Sequence, residues 1–194
     1  MLLLALVLGC APQEKDTADP ETVDTGSSSD DSGQNSSDPF AEIDPSSLPA
    51  GSNPCREPVY VHVDEVVDGD TARVTSGRGS ERVRFIGIDA AEVDHDGDWD
   101  ECWAEEARAH VVEQIEGVGV WLSFDAECED DYGRTLAYVH TRPGDQGFLQ
   151  RSLLSEGWVQ TFAVSPNTSF ASQFTQDESS AQASGAGLWG ACSR

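Results

Sequence analysis

Val66-Val67-Asp68-Gly69-Asp70-Thr71-Ala72-Arg73-Val74-Thr75 and, after a Gly/Ser turn at 76–80, Glu81-Arg82-Val83-Arg84-Phe85-Ile86-Gly87-Ile88-Asp89-Ala90-Ala91-Glu92 decide the fold. The pair reads as strand, tight turn, strand, turn, strand. Asp68-Gly69 between apolar runs is a hairpin signal. Residues 71–75 form the returning strand and residues 81–88 the third. Gly87 inside that strand predicts a bulge or bend. Arg84 and Asp89 have opposite parity, so a regular strand sends them to opposite faces. A bulge between them would switch the phase and bring them together.

Working outward, residues 57–67 alternate apolar and polar from Val59 to Val63 and read as the first strand. Residues 93–101 form an acidic loop. A helix is predicted over about 102–116, because Ala104, Ala107, Val111 and Ile115 recur at spacings of three and four. Gly117 is its stop. Residues 118–124 and 135–141 read as the fourth and fifth strands, 148–156 as a short helix capped by Gly157, and 158–164 as extended. The last helix is predicted over 169–183, with Phe170 and Phe174 inward. Five short strands with a helix before the fourth and two helices after the fifth predict a mainly β chain with helices (α+β): a five-stranded Greek-key barrel of OB type with about three helices.

The same stretch concentrates chemistry. Asp70 and Asp89 are hard oxygen donors suited to Ca²⁺, and the Ala90 carbonyl offers a third ligand of the same kind. Glu92, three residues past Asp89, is placed to take a proton from an attacking water. Arg84 and Arg134, the latter in Asp131-Tyr132-Gly133-Arg134, offer planar forks matching phosphate oxygens. Alone, each is unremarkable: an Asp in Asp-Gly is ordinarily a turn residue, and an Arg in a strand is ordinarily an edge charge. In combination they are what phosphodiester hydrolysis requires, namely charge neutralisation, a positioned water and support for a five-coordinate phosphorus.

These residues resemble the staphylococcal-nuclease-like (thermonuclease) family. The resemblance runs from about Val61 to Trp189, through Val66–Thr71, Val83–Glu92, Glu105-Glu106-Ala107, Asp131–Tyr138 and Gly187-Leu188-Trp189. It implies an OB-type barrel that uses Ca²⁺ to cleave DNA and RNA to 3′-phosphate products. Asp70, Asp89 and the Ala90 carbonyl would then hold the metal, while Arg84, Glu92 and Arg134 would be catalytic. Tyr132 and Phe162 stand where the family places aromatic rings near the nucleotide; core packing is the other reading of Phe162. Three departures stand out. Ala90-Ala91 replace a Thr-Pro pair, Asp131 replaces a lysine, and the domain is acidic where the best-known member is basic.

The charge is the main objection to a simple nucleic-acid binder. The 194 residues carry a formal net charge of −25. Residues 1–50 hold ten acids against one lysine, and residues 51–194 hold twenty-six acids against ten arginines, so the folded part is itself anionic. A binder that tracks phosphates needs a basic footprint. A catalytically weak or inactive OB-fold nucleic-acid-binding surface lipoprotein is the alternative, and an adhesive surface protein a third reading. The complete set of Asp70, Arg84, Asp89, Glu92 and Arg134 favours the enzyme. No feature calls for an oligomer, so a monomer is expected.

Residues 1–9 are an apolar run closed by Cys10, too short for the roughly 20 residues that span a bilayer. The run reads as the h-region of an export signal. Val7-Leu8-Gly9-Cys10 resembles a lipobox, which implies lipidation of Cys10, membrane anchoring and, with Ala11 following, the outer membrane or cell surface; a periplasmic or secreted protein is the alternative. Residues 11–50 are polar and acidic and are expected to form a disordered tether, leaving 51–194 as the domain. Cys55, Cys102, Cys128 and Cys192 predict two disulfides in an exported domain. Three pairings are open. Cys55 begins the domain and Cys192 ends it, so Cys55–Cys192 is expected to tie the termini, leaving Cys102–Cys128. The Asp-rich loop 94–101 has the composition of a calcium loop without the full spacing; a solvated loop is expected there, with His95 not a ligand.

Overall fold

A computed structural model describes residues 38–94 and 100–192. Strands β1 (Val59–Asp68), β2 (Thr71–Ser76), β3 (Gly79–Phe85), β5 (Gly119–Ser123) and β6 (Thr135–His140) close a barrel in the order β1-β2-β3-β6-β5. The β3–β6 contact is parallel and the rest are antiparallel. The five-stranded barrel expected from the sequence is therefore present. Alternation builds it: Val61 and Val63 of β1, Ala72 and Val74 of β2, Val83 and Phe85 of β3 and Val120 and Leu122 of β5 are buried. Two register shifts in β1, between Val63 and Glu65 and between Val66 and Asp68, change its phase so that Val66 also faces inward.

The predicted third strand is broken as its glycine suggests. β3 ends at Phe85, and a short β4 (Gly87–Asp89) leaves the barrel to pair with β7 (Gln160–Phe162). Gly87 has φ +84°, and a Cβ there would fall 2.6 Å from the Phe174 ring. Only glycine meets both demands.

Three helices cover the barrel: α1 (Ala104–Ile115), α2 (Leu149–Glu156) and α3 (Ala171–Ser184), with a final turn α4 (Leu188–Ala191). α1 buries the predicted stripe of Ala104, Ala107, Val111 and Ile115. A cluster of edge-to-face rings, Tyr138, Phe148, Phe170 and Phe174, joins β6 to α2 and α3, with centroids 4.8–6.2 Å apart.

Two expectations are corrected. The disulfides are Cys55–Cys128 and Cys102–Cys192, not Cys55–Cys192 and Cys102–Cys128. The Cys55 N–H bonds to Asp125 O, which lays Cys55 beside the segment after β5 and within reach of Cys128. Residues 38–50, assigned to the tether, lie on the barrel. Asp38 and Asp44 cap two 3₁₀ turns, Pro39–Glu42 and Pro45–Ser47. Trp121 Nε1 donates to Phe40 O, Ser123 Oγ donates to Pro49 O, and Leu48 is buried. Cys10, the apolar run and loop residues 95–99, including His95, lie outside the described residues. Among the described residues no helix is long and apolar enough to cross a membrane.

Candidate active site

The site begins at the β1–β2 turn. Asp68 Oδ1 accepts the Asp70 N–H at 3.0 Å, an Asx turn that aims Asp70 inward. A Cβ on Gly69 would lie 2.7 Å from Ala90 Cβ and 3.3 Å from Ala107 Cβ. Glycine therefore allows the turn, α1 and the Ala90 segment to meet. The Asp70 side chain is nearly buried. Its Oδ2 accepts the Ala90 N–H at 2.8 Å and its Oδ1 accepts the Thr71 hydroxyl at 3.0 Å.

Arg84 sits opposite Thr71 in the β2–β3 register. Its Nη1 lies 3.0 Å from Asp70 Oδ2 and donates to Ile88 O at 2.7 Å and Phe85 O at 3.1 Å. Its Nη2 donates to Asp89 Oδ1 at 2.8 Å. The bend at Gly87 thus brings Arg84 and Asp89 together despite their parity. Burial and the neighbouring Asp68 raise the Asp70 carboxyl to about 7, against the opposing pull of Arg84. Glu92 is exposed and lies in the same field. Burial, then Asp68 and Asp89, raise its pKa, and Arg84 opposes them.

Arg134 projects from the turn before β6. Asp130 holds it: Oδ1 accepts the Tyr132 and Arg134 N–H groups at 3.0 and 2.9 Å, and Oδ2 accepts Arg134 Nε at 2.7 Å. Burial alone would raise the Asp130 carboxyl, but the Arg134 N–H, the Arg134 side chain and the Tyr132 N–H outweigh it and lower its pKa. The guanidinium lies 5.5 Å from the Tyr132 ring centroid.

A cleft of about 490 Å³ joins the two halves. Arg84, Arg134, Tyr132 and Phe162 all line it, as do Glu127, Glu129, Asp130 and Asp131. Tyr132 is 85% exposed and Phe162 54%, so neither is a core residue. The structure therefore brings both predicted arginines and both predicted aromatic residues to one cleft, with Asp70, Asp89 and Ala90 gathered behind Arg84. Asp68, Asp130 and Glu101, which accepts the Glu92 N–H at 3.1 Å, were not singled out from sequence. Asp68 and Asp130 carried a signal, each being an Asp at the head of a turn. Glu101 carried none.

Among the described residues no three Asp, Glu, His or Cys side chains converge as a cation cage. The donors present still fit a hard cation. They are all oxygen, two carboxylates with a neighbouring carbonyl, and burial, the main cause of the raised Asp70 pKa, leaves that carboxyl undercompensated by Arg84 alone.

The family profile described as staphylococcal nuclease homologue matches residues 82–191. The chain is 33% identical over 136 residues to the SPbeta prophage-derived endonuclease YokF of Bacillus subtilis (strain 168), covering 69% of this chain and 45% of that protein. It is 31% identical over 133 residues to endonuclease YncB of the same organism, covering 68% and 62%. It is 32% identical over 127 residues to the thermonuclease of Staphylococcus intermedius, covering 66% and 74%. The chain thus spans less than two thirds of either Bacillus protein. With the barrel and these matches in hand, the chain belongs to the staphylococcal nuclease homologue family.

Proposed function

We propose that this chain is a calcium-dependent endonuclease that hydrolyses phosphodiester bonds of DNA, RNA or both to 3′-phosphate products. The observation that carries the reading is Arg84, which touches both Asp70 and Asp89 while lining the cleft shared with Arg134 and Tyr132. Asp70, Asp89 and the Ala90 carbonyl would hold the cation. Calcium, when bound, supplies positive charge and polarises a phosphoryl oxygen. Arg84 and Arg134 donate to the non-bridging oxygens, where negative charge grows as phosphorus becomes five-coordinate. Glu92, its pKa raised, takes a proton from the attacking water. The P–O5′ bond breaks, and the 5′ oxygen leaves as a hydroxyl after taking a proton from solvent water. Tyr132 and Phe162 supply exposed rings against which a base or sugar can stack.

Export and a lipid anchor at Cys10 belong to the same proposal, with the folded part acting as a monomer at the outer membrane or cell surface. The apolar run closed by Cys10 and the two disulfides, which persist in oxidising compartments, support it. The test is plasmid and single-stranded DNA incubated with the full chain, in calcium or in chelator. Cleavage that needs calcium and disappears in Arg84→Ala supports the reading. Binding without cleavage in calcium overturns it.

A further inference from the structure

Two disulfides flank the site, and they stand in different relations to it. Cys102–Cys192 lies next to Glu101, and Glu101 holds Glu92 by a reciprocal pair. The Glu92 N–H donates to Glu101 Oε2 at 3.1 Å, and the Glu101 N–H donates to Glu92 O, also at 3.1 Å. A second rung, Asp94 N–H to Asp100 Oδ1 at 2.9 Å, closes the same neck. Ala90 is fixed by Asp70, but Glu92 lies two residues beyond that tie. Its backbone position depends on the far side of the neck.

Ahead of Trp103, whose ring stacks on Trp158 with centroids 5.5 Å apart, that far side has no core of its own. Asp100, Glu101 and Cys102 are all exposed, and Trp103 has a left-handed backbone (φ 78°) that separates them from α1. Glu101 O accepts the Ala104 N–H, a single bond to the helix start. The covalent hold is the bridge. Cys192 follows α4, whose Leu188 N–H bonds to Gly157 O at the end of α2. A continuous path therefore runs from α2 through α4, Cys192, Cys102 and Glu101 to Glu92.

We propose that the Cys102–Cys192 disulfide, acting through Glu101 as a positioning residue, holds Glu92 in its working place, so that cleavage depends on the bridge being oxidised. The proposal rests on the reading of Glu92 as the group that handles the attacking water. A dithiol reductant would open the bridge by two thiol–disulfide exchanges. One of its thiolates attacks a bridge sulfur to give a mixed disulfide, and its second thiol closes on the first. Cys102 and Cys192 become thiols and the reductant becomes a disulfide, with two electrons transferred. Cys102 is exposed, so the bridge is reachable. Such a chain would be quiescent in a reducing compartment and competent in an oxidising one.

Cys55–Cys128 provides the internal contrast. Cys128 precedes the turn that presents Arg134, but Asp130 already fixes Arg134 through bonds made within that turn. Opening Cys55–Cys128 should leave Arg134 in place.

The experiment compares the full chain with Cys102→Ser/Cys192→Ser, Cys55→Ser/Cys128→Ser, Glu101→Ala and Glu101→Gln. Readouts are kcat and KM in calcium, hydrogen exchange at the Glu92 amide, and thermal unfolding. The expected result is a kcat loss on the order of 10- to 100-fold for the Cys102/Cys192 and Glu101→Ala variants, as for a small misplacement of a reacting group. KM should hold, and Glu92 amide protection should be lost. Glu101→Gln, which keeps an acceptor oxygen, should restore both. The Cys55/Cys128 variant should unfold at lower temperature with kcat kept. Wild-type kcat and amide protection in both the Cys102/Cys192 and Glu101→Ala variants would overturn the proposal. Glu101→Ala keeps the bridge, so the test survives if the double variant does not fold. If the wild-type chain fails to cleave in calcium, the functional reading has failed. Glu92 amide exchange before and after dithiol treatment then still decides whether the bridge holds that backbone.

Discussion

Arg84 Nη1 lies 3.0 Å from Asp70 Oδ2, and the two side chains are only 13% and 6% exposed. Removing Arg84 leaves the buried Asp70 charge uncompensated, whereas Arg84 keeps Asp89 as a partner when Asp70 is neutralised. Arg84→Ala should therefore act twice. Loss of a donor to the developing phosphorane lowers turnover on the order of 10²- to 10³-fold. Loss of the partner for Asp70 and Asp89 also destabilises the fold, by roughly 3 kcal/mol. Steady-state cleavage and urea unfolding of the same preparation check both. A variant with wild-type stability and lost activity would show that Asp70 does not depend on Arg84.

Asp70→Asn should show the opposite coupling. Burial raises the Asp70 carboxyl to about 7, so its surroundings disfavour the charge that metal binding needs. The amide keeps an acceptor for the Ala90 N–H and removes the charge. In chelator the variant should melt a few degrees higher than wild type, for a gain of about 1–2 kcal/mol. It should also lose calcium-dependent cleavage and any calcium-induced rise in melting temperature. A lower melting temperature in chelator would contradict this account.

Asp70, Arg84 and Asp89 were legible in the sequence because each sits in a local pattern: Asp70 in an Asp-Gly turn, Arg84 and Asp89 on either side of a strand glycine. Local pattern also placed the strands, α1 and its stripe. Contacts between distant segments were not legible. Asp125 is buried, accepting from Tyr138 OH at 2.7 Å and from Ser169 N–H and Oγ at 3.0 and 2.9 Å, but nothing in its neighbourhood of the sequence marks it. The disulfide pairing failed for the same reason. Cysteines at the two ends of a domain meet only if the fold brings its ends together, and here Cys55 is drawn to Asp125 while Cys192 is carried back to α1. The strap at 38–50 was hidden by composition. Its polar, proline-rich sequence reads as solvated chain, and its barrel-facing side rests on scattered contacts: the Asp38 carboxylate to Tyr60, the Phe40 carbonyl and ring, Leu48 and the Pro49 carbonyl.

The cleft sets up a third prediction. Both of its arginines are paired with carboxylates, and Glu127, Glu129 and Asp131 add negative charge to its wall. A polyanionic substrate therefore meets repulsion on approach. Asp131→Lys reverses one exposed wall charge without touching Arg84 or Arg134. It should lower KM roughly several-fold at low ionic strength while kcat holds, and the gain should fade as the screening length drops from about 30 Å at 0.01 M to about 3 Å at 1 M salt. Cleavage rates across a salt series check it. An unchanged KM at low salt would mean that the wall does not meet the substrate.

His140 governs the last prediction, which concerns acid stability. The ring is fully buried, and burial lowers its pKa to about 4, against a smaller opposing contribution from Pro49. Ser123 Oγ donates to Pro49 O and so accepts from Nε2–H, leaving Nδ1 as the unprotonated, buried nitrogen without a partner. A proton added at Nδ1 would place a cation where nothing accepts its hydrogen. The unfolded chain takes up that proton near pH 6.5, and the folded chain resists it until about pH 4. Between those values the unfolded state binds more protons, so stability falls as pH falls. The contribution is complete above pH 6.5 and is lost on the way to pH 4, by roughly 3 kcal/mol. His140→Gln removes the titration. Urea unfolding from pH 4.5 to 7.5 should show a steeper loss in wild type than in the variant, since the carboxylates common to both cancel in the difference. Parallel curves would mean that His140 is protonated in the folded protein, and the partnerless Nδ1 would then have to find an acceptor by moving Ser123 or Phe148, whose ring centroid lies 4.9 Å away.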